Sequence, residues 1–462
     1  MTVNPLRAVS RSPDRRHILD RRRFLAGGLA LATAPLAGAA ALGQSSQPDV
    51  IIIGAGAAGI AAARKLAAAG ITYALIEAGR RVGGRAFTDN AIFGLPFDLG
   101  ANRIHFPAAT EISTLGRVAG FDVARAPEAG RLYLGGKEAT DSEYEGFVGA
   151  VRRAERAIVA AGDAGRDLPA ARVLPDLGPW SASADFVTGP YLRGRDLADV
   201  STVDVSHAEE RELADVCRQG LGALIASLAT PLTVQLDTAA RSVDLNARRG
   251  VSVQTNRGTL QARMVIVAVP PTLLANGRLR ILPNLPARYR TAVERIPLGA
   301  YDHIGFEWPG NPGGLRPDEL VYFRTEAGRG YMLQARLAGT RLHSLDVGGD
   351  LAATLADATP GGVRAFLEEA ITREFGAEAA KRIGRVHHTR WTKEPLALGA
   401  MSCAMPGAGN LRRVFLDVVA SRLLFAGEHA HERLWGTVAG AWQSGERAAG
   451  QAITLLTGGK AG

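Results

Sequence analysis

The stretch VIIIGAGAAG, residues 50–59, decides the fold of this chain. Its four large apolar residues predict a buried strand, and an alanine-rich helix is expected to follow as far as Ala69. Between them, Gly54 permits a tight turn, Gly56 lets the backbone approach phosphate, and Gly59 lets the helix pack closely on the strand. The spacing therefore predicts a strand–turn–helix unit whose helix N-terminus faces a pyrophosphate.

A second predicted strand, Ile71–Ile76, ends at Glu77, which lies 23 residues after Gly54. A carboxylate at this distance suits the two ribose hydroxyls of a dinucleotide and disfavours a 2′-phosphate. The alternative interpretation is an alanine- and glycine-rich helix start that binds no ligand. The combination of strand, helix and acid favours a dinucleotide site.

A second half-site lies beyond residue 420. A predicted strand over residues 422–426 is followed by Gly427 and Glu428, and a predicted helix begins near Val438 and continues to Leu456. The N-terminus of that helix also favours anionic or electron-rich ligand atoms. The two half-sites are more than 350 residues apart. Together they predict one FAD site assembled from distant parts of the chain, and hence a flavin oxidoreductase.

The composition narrows the remaining possibilities. With 462 residues and 47% hydrophobic content, the chain can bury a large core and is expected to form two interleaved domains. Only Cys217 and Cys403 are present, which argues against a disulfide framework or a cysteine-built metal site, and we predict no metal. Residues 1–43 contain seven arginines and only two acidic residues, Asp14 and Asp20. Without this segment the net charge of +9 falls to about +4. We therefore expect no nucleic-acid partner.

Residues 1–43 are interpreted as an export signal. The sequence DRRRFL, residues 20–25, precedes a mildly apolar, alanine-rich stretch that extends to Leu42. This pattern is typical of a twin-arginine signal peptide, and it predicts the twin-arginine machinery as a partner and a periplasmic location. No other stretch is long and apolar enough to span a bilayer, so we expect no stable membrane insertion after cleavage. The alternatives are a retained membrane anchor and a disordered basic tail.

The pattern of the remaining chain alternates between helical and strand-rich segments. Helices are predicted at Ser142–Ala161, Ala208–Ala229 and Gly362–Phe375, with a loop-rich cap between the first two. Short strands are predicted at Ala240–Leu245, Val251–Thr255 and Leu260–Val269. The apolar residues 265–269 are expected to join the same parallel sheet as the strand before Gly54.

Several ordered motifs resemble the flavin-containing amine oxidase family, which includes monoamine, polyamine and L-amino-acid oxidases. They are the two half-sites, RVGGR at residues 81–85, DLGAN at 98–102, the apolar strand before Pro270, PLG at 297–299, and Trp391. The resemblance implies an α/β fold with a doubly wound, Rossmann-like FAD-binding domain interleaved with a mixed α+β substrate domain. We assign residues 48–106, 232–283 and 410–457 to the first domain, and residues 107–231 and 284–409 to the second.

The resemblance also implies a set of residues that touch FAD. Val243 would do so through its backbone, near the adenine. The full set is Gly54, Gly56, Ala58, Gly59, Glu77, Arg85, Gly100, Asn102, Arg103, Val243, Glu428, Thr437 and Val438.

The chain departs from the family at the positions that handle the substrate. Many members carry a lysine that holds a water against the flavin, and here His303 occupies that position. We predict His303 and Trp391 as catalytic residues, with a structural histidine and a core tryptophan as the alternatives. The two positions that often form an aromatic cage are Met401 and Thr437. The position of the cysteine that attaches flavin in monoamine oxidases is Ala400, so FAD is expected to bind non-covalently.

Two further residues bear on the substrate. His105 lies where polyamine oxidases often place a histidine at the cavity mouth, although a histidine at a loop end is more often structural. Arg103 replaces what is commonly an aromatic residue, and a buried arginine would favour a carboxylate or another anion.

The sequence thus predicts oxidation of a carbon–nitrogen bond of a small-molecule amine or amino acid to an imine. Oxygen or a periplasmic electron carrier would accept the electrons. One alternative is a desaturase or carbon–carbon oxidase resembling phytoene desaturases or protoporphyrinogen oxidases. Another is a non-catalytic periplasmic flavoprotein that acts as a binding partner.

Overall fold

The computed structural model describes residues 47–127, 130–211, 213–248 and 250–458. The predicted export signal, residues 1–43, lies outside these ranges. None of the helices within them combines the length and the apolar character that a membrane crossing requires.

A five-stranded parallel sheet forms around the strand that precedes Gly54. Val50–Ile53 pairs with Tyr73–Ile76 on one side and with Met264–Val267 on the other, in parallel register. The outer strands are Val234–Gln235 and Leu423–Phe425. The central strands consist of apolar residues because both faces of a parallel sheet are buried. The predicted Rossmann-like fold is confirmed.

The two helices of the half-sites pack directly against each other. The first is Ala57–Ala68 and the second is Val438–Leu456. A Cβ atom added to Gly445 would lie 2.0 Å from the carbonyl oxygen of Ala58, so the two helix backbones touch at this point. This contact joins the predicted half-sites physically.

A four-stranded sheet lies beside the parallel sheet. Its strand order is Gly258–Ala262, Val251–Thr255, Ala240–Asp244 and Arg280–Leu282. The predicted single strand Leu260–Val269 is wrong, because the chain changes sheets at Arg263. That residue is exposed and forms an ion pair with Asp49, while the main chain on either side of it enters two different sheets.

A seven-stranded mixed sheet supports the other part of the molecule. Its strand order is Val386–His388, Tyr301–Glu307, Leu342–Gly348, Tyr331–Ala335, Glu319–Phe323, Arg131–Leu134 and Lys137–Glu138. The helix Pro360–Phe375 covers it with Val363, Leu367 and Ile371, which belong to the same hydrophobic cluster as the strands. The predicted helix Gly362–Phe375 is thus observed with a slightly earlier start.

The predicted helix Ala208–Ala229 is wrong. The structure has a strand, Ala214–Cys217, a turn at Gly220, and a shorter helix, Leu221–Ser227. Gly220 has a φ of +92°, which a continuous helix cannot accommodate. The strand pairs with both Ile104–His105 and Val123–Arg125, so tertiary pairing overrides the local helical pattern.

The long predicted helix before the loop-rich cap is present as Asp141–Asp163, and Thr140 and Glu143 cap it reciprocally. A two-stranded sheet pairs Thr88–Asp89 with Phe97–Asp98. The other α-helices in the described residues are Ile112–Val118, Ser181–Phe186, Thr202–His207, Pro271–Ala275, Ala287–Arg295, Gly349–Ala356 and Ala377–Ala380.

Candidate active site

One large cavity, of about 990 Å³, lies between the parallel sheet and the seven-stranded sheet. We call the part lined by Gly54, Gly56, Gly83 and Gly84 the glycine region. The part lined by Tyr191 and Tyr301 is called the tyrosine region. Trp391 and Gly100 also line the cavity. Among the described residues, no group of three or more His, Cys, Asp or Glu side chains could hold a metal ion.

The glycine region presents main-chain donors to the cavity. No side chain caps the helix Ala57–Ala68 at Gly56, so its first N–H groups keep their capacity for a ligand. A Cβ on Gly56 would have no protein atom closer than 3.9 Å, whereas one on Gly59 would lie 1.9 Å from the carbonyl oxygen of Gly54. Gly56 and Ala58 line the cavity, and Gly59 instead brings helix and turn together. This geometry fits a pyrophosphate.

Glu77 lies at the edge of the glycine region. Its two carboxylate oxygens accept hydrogen bonds from the main-chain N–H groups of Ala55, at 2.8 Å, and Gly79, at 2.7 Å. Each oxygen has further acceptor capacity, so the side chain can also receive ribose hydroxyls. Residues 238–241 line the cavity nearby.

The predicted contact at Val243 is not supported. Val243 is fully buried in the core, and its strand is hydrogen-bonded on both sides, to Val251–Thr255 and to Arg280–Leu282. The cavity wall in this strand ends at Arg241. Sequence position thus identified a strand that reaches the cavity, but the cavity-lining residues are 238–241 and Val243 is not among them.

Glu428 connects the two half-sites. It accepts a hydrogen bond from Arg85 Nη1 at 2.7 Å, from the Ser402 hydroxyl at 2.6 Å and from the Gly436 N–H at 2.8 Å. Burial alone would raise the pKa of Glu428, but Arg85 and its other partners lower it to about 2. The charge of Arg85 is therefore matched by Glu428, and its Nη1 also binds the carbonyl of Ala400 at 2.6 Å. Arg85 also lines the cavity, and its predicted contact with FAD stays a prediction.

Gly100 and Trp391 form a compact wall. A Cβ on Gly100 would lie 2.0 Å from the carbonyl oxygen of Arg85 and 2.9 Å from the Trp391 ring, so only glycine fits. The Trp391 indole N–H donates to the carbonyl of Leu99 at 2.7 Å. Trp391 thus supports the main chain around Gly100 and lines the cavity; its predicted catalytic role stays a prediction.

His303 does not have the free ring nitrogen that water holding requires. Its Nδ1 lies 2.8 Å from Asp346 Oδ1, and its Nε2 lies 3.0 Å from the carbonyl oxygen of Gly100. Burial would lower the pKa of His303, but the charge and hydrogen bond of Asp346 raise it to about 9. His303 is therefore an imidazolium at neutral pH that donates to both partners. This corrects its predicted role as a water-holding acid or base.

Asp346 is the centre of a buried hydrogen-bond network that the sequence did not reveal. It also accepts from the hydroxyl of Tyr301, at 2.7 Å, and from the amide nitrogen of Gln334, at 2.5 Å. Gln334 in turn accepts from the Asn102 amide at 3.0 Å. An aspartate between the apolar residues Leu345 and Val347, in the fully buried strand Leu342–Gly348, was the signal that could have pointed to it.

Two guanidinium groups line the cavity with the tyrosines. Arg103 donates to the carbonyl of Asp318 at 3.3 Å and leaves its buried Nε without a partner among the described residues. Arg211 donates to the carbonyls of Leu192 and Trp435. Burial and the charge of Arg193 lower the pKa of Arg211 to about 10, so it remains charged at neutral pH. Neither arginine forms a salt bridge with a carboxylate of the described residues.

The remaining predicted residues lie around this region. Met401 and Thr437, at the expected cage positions, both line the cavity, as do Val438 and His105. Thr437 caps the helix Val438–Leu456 through the N–H of Gly440. Burial and the neighbouring arginines lower the pKa of His105 well below its usual value, so this ring is neutral.

Two family models match this chain. Residues 132–453 match the flavin-containing amine oxidoreductase model, and residues 52–114 match an NAD(P)-binding Rossmann-like domain. The first match covers more than half of the chain. The chain belongs to the flavin-containing amine oxidoreductases. The uncapped helix at Gly56 and the glycine cradle fit FAD, which is the cofactor of the family, and redox chemistry is its reaction class.

Individual relatives of this flavin-containing amine oxidoreductase are distant. A rice protein named lysine-specific histone demethylase 1 homolog 1 is 24% identical, over 88% of this chain and 52% of its own length. The chain thus spans about half the length of the plant relatives it matches. A candidate flavin-containing monoamine oxidase of Mycobacterium tuberculosis, AofH, is 25% identical, with 88% of this chain and 97% of that protein covered.

Two solved structures share the fold. Cyclohexylamine oxidase from Brevibacterium oxydans has a TM-score of 0.75 at 22% identity, covering 89% of this chain and all of that chain. Putrescine oxidase bound to putrescine has a TM-score of 0.76 at 19% identity, covering 88% of this chain and 99% of that chain. At these identities the similarities support the overall fold.

Proposed function

We propose that this protein oxidises the carbon–nitrogen bond of an amino acid, or of another amine that carries an anionic group, to an imine. The observation that supports the proposal most directly is the pair Arg103 and Arg211, which line the cavity and form no salt bridge with a carboxylate of the described residues. Guanidinium groups bind carboxylates through charge-assisted hydrogen bonds.

The charge of the tyrosine region disfavours an alkylammonium substrate without an anion. Two like charges about 5 Å apart repel by roughly 3 kcal/mol at an effective dielectric constant of about 20. The carboxylate of a substrate is instead attracted by the two guanidinium groups, and this attraction also fixes the substrate's orientation. The nearby cations then favour the neutral form of the substrate amine, whose nitrogen lone pair assists the departure of the neighbouring hydrogen.

Bound FAD supplies the acceptor for two electrons from the substrate. The substrate loses two electrons and two protons overall, and water hydrolyses the imine to a carbonyl compound and ammonia. Oxygen, reduced to hydrogen peroxide, or a periplasmic electron carrier then accepts the electrons. The protein's own contribution is the orientation of the substrate and the exclusion of water.

An anaerobic stopped-flow screen tests this proposal. The FAD-loaded protein is mixed with L-amino acids, with the corresponding primary amines lacking the carboxylate, and with polyamines. We expect flavin bleaching at least tenfold faster with an amino acid than with its matched amine. Equal or faster bleaching by the plain amines would contradict the anionic substrate class. Reduction by an isoprenoid or porphyrinogen alone would favour a desaturase, and no reduction together with a co-purifying protein would favour a non-catalytic role.

A second proposal concerns the cellular location of the protein. It is supported by the sequence DRRRFL, which precedes an apolar stretch. We propose export through the twin-arginine pathway to the periplasm, with FAD inserted before export. Replacing both Arg21 and Arg22 with lysine keeps the charge but removes the pair that this pathway reads. The variant is expected to accumulate FAD-loaded in the cytoplasm, whereas the variant Arg15→Lys, Arg16→Lys should be exported normally. Equal export of the two variants would contradict the pathway.

A further inference from the structure

Tyr301 lies where a substrate would meet the seven-stranded sheet. It begins the strand Tyr301–Glu307 and lines the cavity, with its ring centroid 6.3 Å from that of Tyr191. Its hydroxyl is 2.7 Å from Asp346 Oδ2. Tyr301 therefore links a buried carboxylate to the cavity wall.

The direction of the hydrogen bond between Tyr301 and Asp346 is determined by the network around it. Burial would raise the pKa of Asp346, but His303 and the other donors lower it, so the carboxylate is ionised and can only accept. Burial and the charge of Asp346 raise the pKa of Tyr301 well above its usual value, so the phenol keeps its hydrogen. Tyr301 must donate that hydrogen to Asp346. Its oxygen is left as a pure acceptor.

The ion pair behind Tyr301 keeps this direction fixed. His303 and Asp346 are direct cross-strand partners in the pairing of Tyr301–Glu307 with Leu342–Gly348. Ser344 and Gln334 donate to the same carboxylate, at 2.5 Å each, so both carboxylate oxygens have two donors. Rotation of the Tyr301 hydroxyl toward the cavity would remove one of these four hydrogen-bond donors from the fully buried carboxylate of Asp346.

The charged groups of the tyrosine region are donors. Arg103 and Arg211 carry only N–H groups and can receive a carboxylate but not an amine hydrogen. A substrate with both an anionic group and an amine therefore needs one acceptor in addition to the two guanidinium groups. Tyr301 provides it.

We propose that Tyr301 recognises the substrate amine by accepting a hydrogen bond from its nitrogen, and that the His303–Asp346 pair is the positioning device that makes Tyr301 an acceptor. The inference rests on the proposed function, because it assigns the amine half of a substrate whose anionic half lies at the arginines. It gives Tyr301 a binding role and His303 an indirect one.

The test compares ligands that differ only in the amino group. The probes are the L-amino acid that bleaches the flavin fastest and the same acid without its amino group, which is 3-phenylpropanoate if that amino acid is phenylalanine. The dissociation constant of the amino acid comes from the saturation of anaerobic bleaching, and that of the deaminated acid from competition. The variant is Tyr301→Phe, used as FAD-loaded full-length protein.

Tyr301→Phe should weaken amino-acid binding about tenfold and change binding of the deaminated acid by less than twofold, because one hydrogen bond of about 1.4 kcal/mol is lost. Tyr322→Phe is the matched control, since Tyr322 packs edge-on against Tyr191 behind the cavity wall. Equal weakening of both probes, or no change in either, would overturn the assignment. If no amino acid binds or bleaches wild-type protein, the proposed function fails instead.

Asp346→Asn tests the positioning role. The amide can donate to Tyr301, so the phenol no longer has a fixed direction, and preference for the amino acid over the deaminated acid should fall about tenfold. A retained preference in FAD-loaded Asp346→Asn would contradict the positioning role. If this variant does not fold, His303→Gln replaces it, because glutamine keeps a donor but lacks the charge. The same loss of preference is expected, and wild-type preference would contradict the role.

Discussion

The glycine and tyrosine regions of the cavity are built in different ways. In the glycine region, a ligand would meet main-chain groups of two short segments, residues 54–58 and 83–84, and a Cβ added at Gly54 or Gly83 would collide with backbone. In the tyrosine region, it meets side chains from separate elements, such as Arg103, Arg211 and Tyr301. The comparison shows a cofactor region built from backbone geometry, whereas the proposed substrate choice depends on side-chain charge and on the direction of hydrogen bonds.

The largest expected effect comes from a substitution that disrupts the glycine region. Gly59→Ala places a Cβ 1.9 Å from the carbonyl oxygen of Gly54, so the turn and the helix must move apart. We expect purified protein to lose FAD, with at least a hundredfold weaker binding in a flavin fluorescence titration. Gly361→Ala is the matched control, because Gly361 also lies in the first turn of a helix and its Cβ would have no contact closer than 3.9 Å. Equal FAD binding by both variants would contradict the backbone argument.

A second change affects the tyrosine region alone. Arg103→Met and Arg211→Met each remove one charged donor, which contributes about 1.5–3 kcal/mol to binding an anion. We expect kcat/KM for an amino acid to fall roughly 10- to 100-fold in each variant, while FAD content stays at the wild-type level. Exposed Arg257→Met serves as the control. Loss of FAD from Arg103→Met would instead support the cofactor contact predicted for Arg103 from sequence.

The smallest expected effect is a difference in pH response between the two regions. The pKa of His303 is raised from 6.5 to about 9, so its stabilising contribution is complete below pH 6.5 and is lost as the pH rises through 9. The pKa of Glu428 is lowered from 4.5 to about 2, so its contribution is complete above pH 4.5 and is lost as the pH falls toward 2.

Melting temperatures measured from pH 6 to 10 test this difference. The gap between wild type and His303→Gln should narrow steadily above pH 6.5, whereas the gap between wild type and Glu428→Gln should stay constant over the same interval. A pH-independent gap for His303→Gln would mean that His303 is neutral in the folded protein.

The sequence predicted the glycine region because its geometry is local. A strand, three glycines and a helix occupy consecutive positions, and Glu77 follows at a fixed distance.

The tyrosine region could be predicted only in part. His303 was singled out, but its charge state depends on Asp346, which lies opposite it through a strand register that the sequence does not display. Arg211 lies within the stretch Ala208–Ala229 that was mistaken for helix, and the strand that follows it, Ala214–Cys217, forms through pairing with Ile104–His105 and Val123–Arg125.

The backbone contact between Gly445 and Ala58 has a consequence for biosynthesis. In a nascent chain that has not yet reached residues 438–456, the helix against which Ala57–Ala68 packs is missing. Glu428, ten residues before that helix, is synthesised only shortly before it. The early half-site therefore stays incomplete until residues 428–456 have been translated. The FAD site is thus completed only after both half-sites have been synthesised, and the N-terminal strand–turn–helix unit alone does not form it.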